Sequence, residues 1–250
     1  MKEDTRWKLV AGVLLVTLTL AMFTVHYLVF QDAHHLFIFF IGDLAFIPIE
    51  VLIITLIIDQ MLESREKKRR MDKLNMVIGV FFSRFGTPLL AQLTRADPTI
   101  EKVKQRLSNG NDWRNEMFRD VQDCLHNYSC SITIDLVDKE ALREFLVLHE
   151  DFLLRLVENP VIFEHESFTD LILAINHLTE EMKARGDLSA LPLPDQAHLA
   201  SDTCRAYSLL VLEWLKYMEY LKDHYPYLFS LAMRTNPFDD SASVVFRQGE

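Results

Sequence analysis

The chain has 250 residues, half of them hydrophobic and 25% charged, with a formal net charge of −10 and only 7 glycines. That apolar content excludes a low-complexity disordered chain, and the acidic balance, with no basic reading motif, excludes a nucleic-acid binder. So few glycines also argue against a phosphate-cradling loop.

The apolar residues are unevenly spread. Leu9 to Phe30 contains no formally charged side chain, and Leu36 to Ile58 is as apolar apart from two acids. Each run is close to the ~20 residues that cross a ~30 Å hydrocarbon core, which predicts two membrane spans over 9–30 and 36–58. A cleaved signal peptide fits poorly, because the first run is too long for an h-region and a second span follows at once. Only QDAHH, residues 31–35, separates the two runs, so they form an antiparallel hairpin over residues 1–60.

The link carries no Lys or Arg, whereas Lys2, Arg6 and Lys8 precede the first run. After the second comes a basic collar of Arg65, Lys67, Lys68, Arg69 and Arg70. The positive-inside bias then places both termini in the cytoplasm and the hairpin in the inner (plasma) membrane. Residues 61–84 hold 7 basic and 3 acidic side chains, while residues 85–250 hold 16 and 27. The collar therefore suits anionic headgroups of the lipid bilayer.

Inside the second span lie Asp43, Pro48 and Glu50. The acids are seven residues apart, so they share one helix face about 10 Å apart along the axis. A charge at that depth costs at least ~2.5–3.5 kcal/mol, so the pair is expected to face protein or water. Counting outward from Ala33 sets Asp43 near Thr24 and His26, and Glu50 near Thr17, which makes those side chains the expected partners. Pro48 leaves the Leu44 carbonyl without its usual donor. Two readings follow: neutral acids that join helices or protomers, or acids that line an ion or proton pathway.

Beyond the collar the period is helical. Leu74, Val77, Ile78, Phe81, Phe82, Phe85 and Leu89 make an amphipathic juxtamembrane helix over 61–95, bent or ended by Gly86 and Pro88. Residues 96–236 read as a helical bundle, with Asn109-Gly110 as a turn and Asp112 as a cap. NYSCSITIDLVD is ambiguous between one short strand and a loop. A helix over 139–158 follows, then one opened by Ser167 with Asp170 as its box partner. LPLPDQ reads as a linker, Leu199–Leu221 as the longest helix, and Pro226 opens a terminal helix. The tail from residue 237 reads as disordered. The fold class is all-α.

Several side chains of the bundle are candidate metal ligands. His149 sits on an apolar stripe, His165 lies in EHES between Glu164 and Glu166, and Asp170, His177 and Glu181 share a face at spacings of seven and four. A carboxylate-rich bundle with histidines can hold metal ions, but the di-iron pattern wants Glu-x-x-His on two helices, and only His177-x-x-Glu180 in reversed order is present. Histidines satisfied by carboxylates are the alternative, so no cofactor is expected. The three cysteines, Cys124, Cys130 and Cys204, form no zinc pattern, and Cys124 and Cys204 read as small core residues in a reducing compartment. No nucleophile motif is present, so no enzymatic activity is evident.

The stretch from HHLFIFFIGDLAFIPIE through ESREKKRRMDKLNMVIGVFFSRFG, together with ENPVIFEHESFTDLILAINHLTEE and YPYLFSLAMRTNPF, resembles a group of uncharacterised prokaryotic two-pass membrane proteins. The resemblance implies architecture and membrane location, and assigns no activity or site. The expected function is a membrane-anchored interaction or regulatory module that self-associates into a homo-oligomer and binds a cytoplasmic protein. The alternatives are an oligomeric ion or proton pathway and, behind it, a metal-binding bundle enzyme.

Overall fold

The computed structural model of the protein describes residues 2–108, 113, 115–126, 128–163 and 165–245, with side chains from residue 6 onward except at 102, 106, 108, 115 and 126. Among the described residues there are α-helices and short 3₁₀ or π turns and no strand, so the chain is all-α. It divides into two compact units, Met1–Lys67 and Lys68–Glu250.

The first unit is a helical hairpin of α1 (Lys2–Phe30) and the apolar part of α2 (Ala33–Phe81). Both helices are long and apolar enough to cross a membrane, and their most apolar stretches bury none of their surface within the chain. The connection is tighter than the five residues expected. Gln31 takes a left-handed conformation (φ 54°), its N–H closing α1 on the Tyr27 carbonyl at 2.9 Å. Asp32 then caps α2, its Oδ1 accepting from the N–H groups of His34 (2.9 Å) and His35 (3.0 Å). An aspartate here satisfies orphan donors that a hydrophobic residue would leave bare, so both histidines are helical.

α2 runs unbroken through the collar, because Glu, Arg, Lys and Met between Met61 and Met71 are good helix formers and no breaker intervenes. The amphipathic stripe that follows the collar is the end of this helix, and it packs into the second unit. Leu74, Ile78 and Phe81 are buried there, followed by a π turn at Phe82–Gly86 and α3 (Thr87–Leu93), which buries Leu89, Leu90 and Leu93. Pro88 sits in the first turn of α3, where its missing N–H costs nothing. The core of the second unit thus begins well before residue 96.

Gly86 explains the close packing at the π turn. A Cβ there would lie 2.6 Å from Cδ1 of Phe82 and 2.8 Å from Cε1 of Phe81, two rings that are themselves fully packed. Gly86→Ala gains up to about 1 kcal/mol of helix propensity but overpacks this corner. The expected result is a net loss of about 1–3 kcal/mol in chemical denaturation; unchanged or raised stability would mean that the rings yield freely.

Next come α4 (Glu101–Ser108), α5 (Asn115–His126), α6 (Lys139–Leu148), α7 (Glu150–Val157) and α8 (Pro160–Phe163). α9 (Glu166–Ala184) and α10 (Leu193–His224) form the central hairpin, and α11 (Pro226–Arg234) is the last helix among the described residues. Phe168, Leu171, Ile175 and Leu178 of α9 face Tyr207, Leu210, Trp214 and Met218 of α10 in one continuous core. The Asn109-Gly110 turn and the Asp112 cap lie outside the described residues.

The expected elements shift in five places. Residues 129–138 hold only a 3₁₀ turn, Ile134–Leu136, so the ambiguous stretch is a loop. The helix over 139–158 breaks at His149 (φ −101°, ψ 5°), whose Nδ1 donates to the Phe145 carbonyl at 2.8 Å. The cap of α9 is His165, not Ser167: its Nδ1 accepts from the Phe168 N–H at 3.3 Å. α10 starts inside LPLPDQ. The tail docks at its start, where Phe238 is fully buried 5.0 Å from the Trp214 ring and Asn236 donates to the Leu107 carbonyl at 2.9 Å; residues 246–250 lie outside the described residues. A further correction concerns the cysteines. Cys204 is not a bare core thiol but is joined to Cys130 in a disulfide that ties the 129–134 loop to α10, while Cys124 is half-buried.

Candidate functional site: a histidine–carboxylate cluster

The α9–α10 hairpin is antiparallel, so residue 181 faces 198 and residue 177 faces 202. On each helix the two positions are four apart and share a face. His177 and Glu181 from α9 therefore meet His198 and Asp202 from α10. His177 Nε2 lies 3.5 Å from Asp202 Oδ2 and 4.0 Å from Glu181 Oε1. His198 Nε2 lies 3.4 Å from Asp202 Oδ2 and 3.6 Å from Glu181 Oε2.

The cluster is wet on one side and dry on the other. The histidine side chains are 47% and 54% exposed, while that of Asp202 is 5% exposed. Asp202 Oδ2 is buried and, among the described residues, has no hydrogen-bond partner. Beside it, Arg185 donates to Glu181 Oε2 at 2.7 Å and grips Asp195 with two parallel bonds of 2.8 and 2.7 Å. This fork locks the turn between the helices. The Arg185 hydrogen bond holds the Glu181 carboxyl below its ordinary value, with the guanidinium charge and the two histidines adding to the effect.

The candidate ligands distribute as follows. His177 and Glu181 enter the cluster; His149, His165 and Asp170 stay outside it. His149 packs its ring on Phe145 and Phe85, at 4.5 and 5.5 Å between centroids. His165 is occupied as a cap, Asp170 is exposed on α9, and Glu164 lies outside the described residues. His198 lies one residue before the expected helix start at Leu199, so its i,i+4 pairing with Asp202 is hidden from the sequence reading, whereas α10 begins at Leu193 and contains both. The available signal was the matched pair His177-x-x-x-Glu181 and His198-x-x-x-Asp202, one on each arm.

In the hairpin unit, Thr17 and Thr24 donate to their own helix, at the Val13 and Leu20 carbonyls (2.8 Å each), rather than to the acids. His26 stacks among Phe30, Phe39 and His35. Asp43 and Glu50 are exposed, and among the described residues neither makes a hydrogen bond or ion pair within the chain. Pro48 sits inside the unbroken α2. The side chains of Arg65, Lys67, Lys68, Arg69 and Arg70 are exposed along the same helix.

An apolar two-helix unit followed by an all-α domain with a histidine–carboxylate cluster defines the class of protein. The chain belongs to the family of the uncharacterized protein MJ1433: residues 2–62 match its N-terminal helical domain and residues 70–234 its C-terminal helical domain. The uncharacterized protein MJ1433 of Methanocaldococcus jannaschii is 41% identical over 243 residues, which cover 97% of this chain and 98% of that relative. No solved structure matches the chain.

Proposed function

We propose that the protein is a membrane-anchored helical module that self-associates through its hairpin and serves there as an interaction or regulatory domain. The observation that carries this reading is the pair Asp43 and Glu50, exposed in the middle of an apolar helix with no partner among the described residues of their own chain. Two uncompensated acids at the level of a hydrocarbon core are costly, and a second copy of the hairpin supplies both a donor and shelter. Both termini face the cytoplasm, the collar touches anionic headgroups, and the helical domain meets a cytoplasmic protein partner.

The test is the oligomeric state of the full chain in nanodiscs. Asp43→Leu with Glu50→Leu should weaken self-association by about 1 kcal/mol per lost bond, or roughly fivefold for each acid. Asp43→Asn with Glu50→Gln should preserve it, because amides still hydrogen-bond. A chain that remains monomeric at all densities, or an oligomer indifferent to the Leu changes, would overturn the reading.

A second reading is favoured by the seven-residue spacing, which sets both acids on one face: an oligomeric pathway for protons or cations. In that case the Asn and Gln forms assemble normally but lose flux in proteoliposomes.

A further inference from the structure

We propose that His177, Glu181, His198 and Asp202 form a binding site for one divalent transition-metal ion of the zinc class, clamped between α9 and α10. The site stands independently of the membrane reading, since all four ligands lie within one compact unit.

Distances are the first argument. In a tetrahedral site with bonds of about 2.0–2.1 Å, neighbouring ligand atoms stand about 3.3 Å apart. The four histidine–carboxylate separations are 3.4, 3.5, 3.6 and 4.0 Å. A charge-assisted N–H···O⁻ hydrogen bond would draw the same atoms to about 2.7–2.9 Å. These groups converge without touching, as ligands around a common centre do. The ligating atoms of His177, Glu181 and Asp202 all lie within 4.8 Å of one another; His198 stands outside that trio and joins it through Asp202 and Glu181, so it is the ligand that must swing furthest to complete the four.

The second argument is the orphaned oxygen. Asp202 is 4% exposed, and its Oδ2 lies 3.5 and 3.4 Å from the two imidazole nitrogens yet accepts no hydrogen bond among the described residues. Leaving a buried carboxylate oxygen unsatisfied is expensive, and native proteins seldom do so. A cation between the four groups would satisfy it. Arg185 does not take that place: it is spent on Glu181 Oε2 and on Asp195.

Donor chemistry selects the ion. Two imidazoles suit zinc, cobalt, nickel or iron(II) and disfavour magnesium and calcium, which prefer oxygen throughout. Four protein ligands fill a tetrahedral sphere, which is the pattern of a structural site rather than a catalytic one with an open position. The half-exposed histidines let the ion enter from solvent. Arg185 acts as a positioning residue, orienting Glu181 from outside, as outer partners of ligands commonly do.

The test uses the full chain, purified without a polyhistidine tag and stripped with chelator. Zinc is titrated in against a competing chelator, and cobalt(II) serves as the visible probe. The expected result is one zinc per chain and the intense visible absorption of four-coordinate cobalt. His177→Ala and His198→Ala should each weaken zinc binding by more than the roughly 10–100-fold that loss of an outer partner costs, and Arg185→Gln should fall within that range. Asp202→Asn, which keeps the volume, should abolish the cobalt band while leaving the far-UV spectrum helical. The double change His34→Ala and His35→Ala, in the hairpin, should leave affinity within about twofold. Two outcomes would overturn the proposal: no bound zinc and no cobalt band in the folded chain, or binding that survives loss of His177 and His198 together.

Discussion

Phe81→Ala should destabilise the helical domain by about 3–5 kcal/mol, the range for emptying a fully packed phenylalanine site. Phe81 is wholly buried at the end of α2. Its ring meets Phe168 edge-on at 5.2 Å between centroids, and it lies 5.1 Å from Phe82 and 5.5 Å from Phe85. Truncation removes the transfer energy of the ring and also these aromatic contacts, worth about 0.5–1.5 kcal/mol per pair. The neighbours cannot collapse into the gap without shifting the π turn, because Gly86 already lets Phe81 and Phe82 approach the backbone closely. The measurement is chemical denaturation of the full chain in detergent. Leu173→Ala on α9, at a side chain 52% exposed, is the reference and should move stability by under about 0.5 kcal/mol. A Phe81 variant no weaker than that reference would mean that α2 does not hold its place in the core.

Much of this core was legible from period alone. The stripe from Leu74 to Leu89 and that of α9 are buried where a 3.6-residue repeat puts them. Boundaries were less legible, because local side-chain chemistry sets them. His149 ends α6 by bonding back to Phe145, and His165 caps α9 with an imidazole nitrogen, a role that cap statistics give to Ser, Thr, Asp or Asn. The histidine–carboxylate cluster was half legible. His177 and Glu181 stood out as an i,i+4 pair, but their partners depend on the register of the hairpin, which the link of 185–192 fixes through the Arg185–Asp195 fork. A sequence shows an i,i+4 pair on one helix; it does not show that residue 181 faces residue 198. The same holds for Cys130 and Cys204, which are separated by 74 residues and meet only because the 129–134 loop folds over α10.

That disulfide carries the last expected result. Cys204→Ser or Cys130→Ser should each lower unfolding free energy by about 2–5 kcal/mol, with the chain-entropy account giving about 4.5 kcal/mol for a loop of this length. The two changes together should cost no more than either alone, since both remove the same crosslink. Denaturation with and without reductant supplies the check: the wild type should weaken under reduction to the level of the Ser variants. On the membrane-anchored reading proposed above, the crosslink also bears on which side of the membrane the domain would occupy. Disulfides ordinarily persist in oxidising compartments, although intracellular proteins of hyperthermophiles are an exception. The collar of five basic residues and the Lys/Arg-free link argue instead for a cytoplasmic domain. For a hairpin that inserts, the charge bias is the stronger guide, because it would act during threading, before any crosslink could form. On that placement the disulfide has to persist against cytoplasmic reductant, and both of its cysteines are half-buried. Gln31→Cys should accordingly be labelled by an impermeant maleimide from outside intact cells, while alkylation-trapped protein still shows Cys130 joined to Cys204. Labelling of Gln31→Cys only after the membrane is opened would invert the hairpin, placing the helical domain outside and its disulfide in an ordinary oxidising setting.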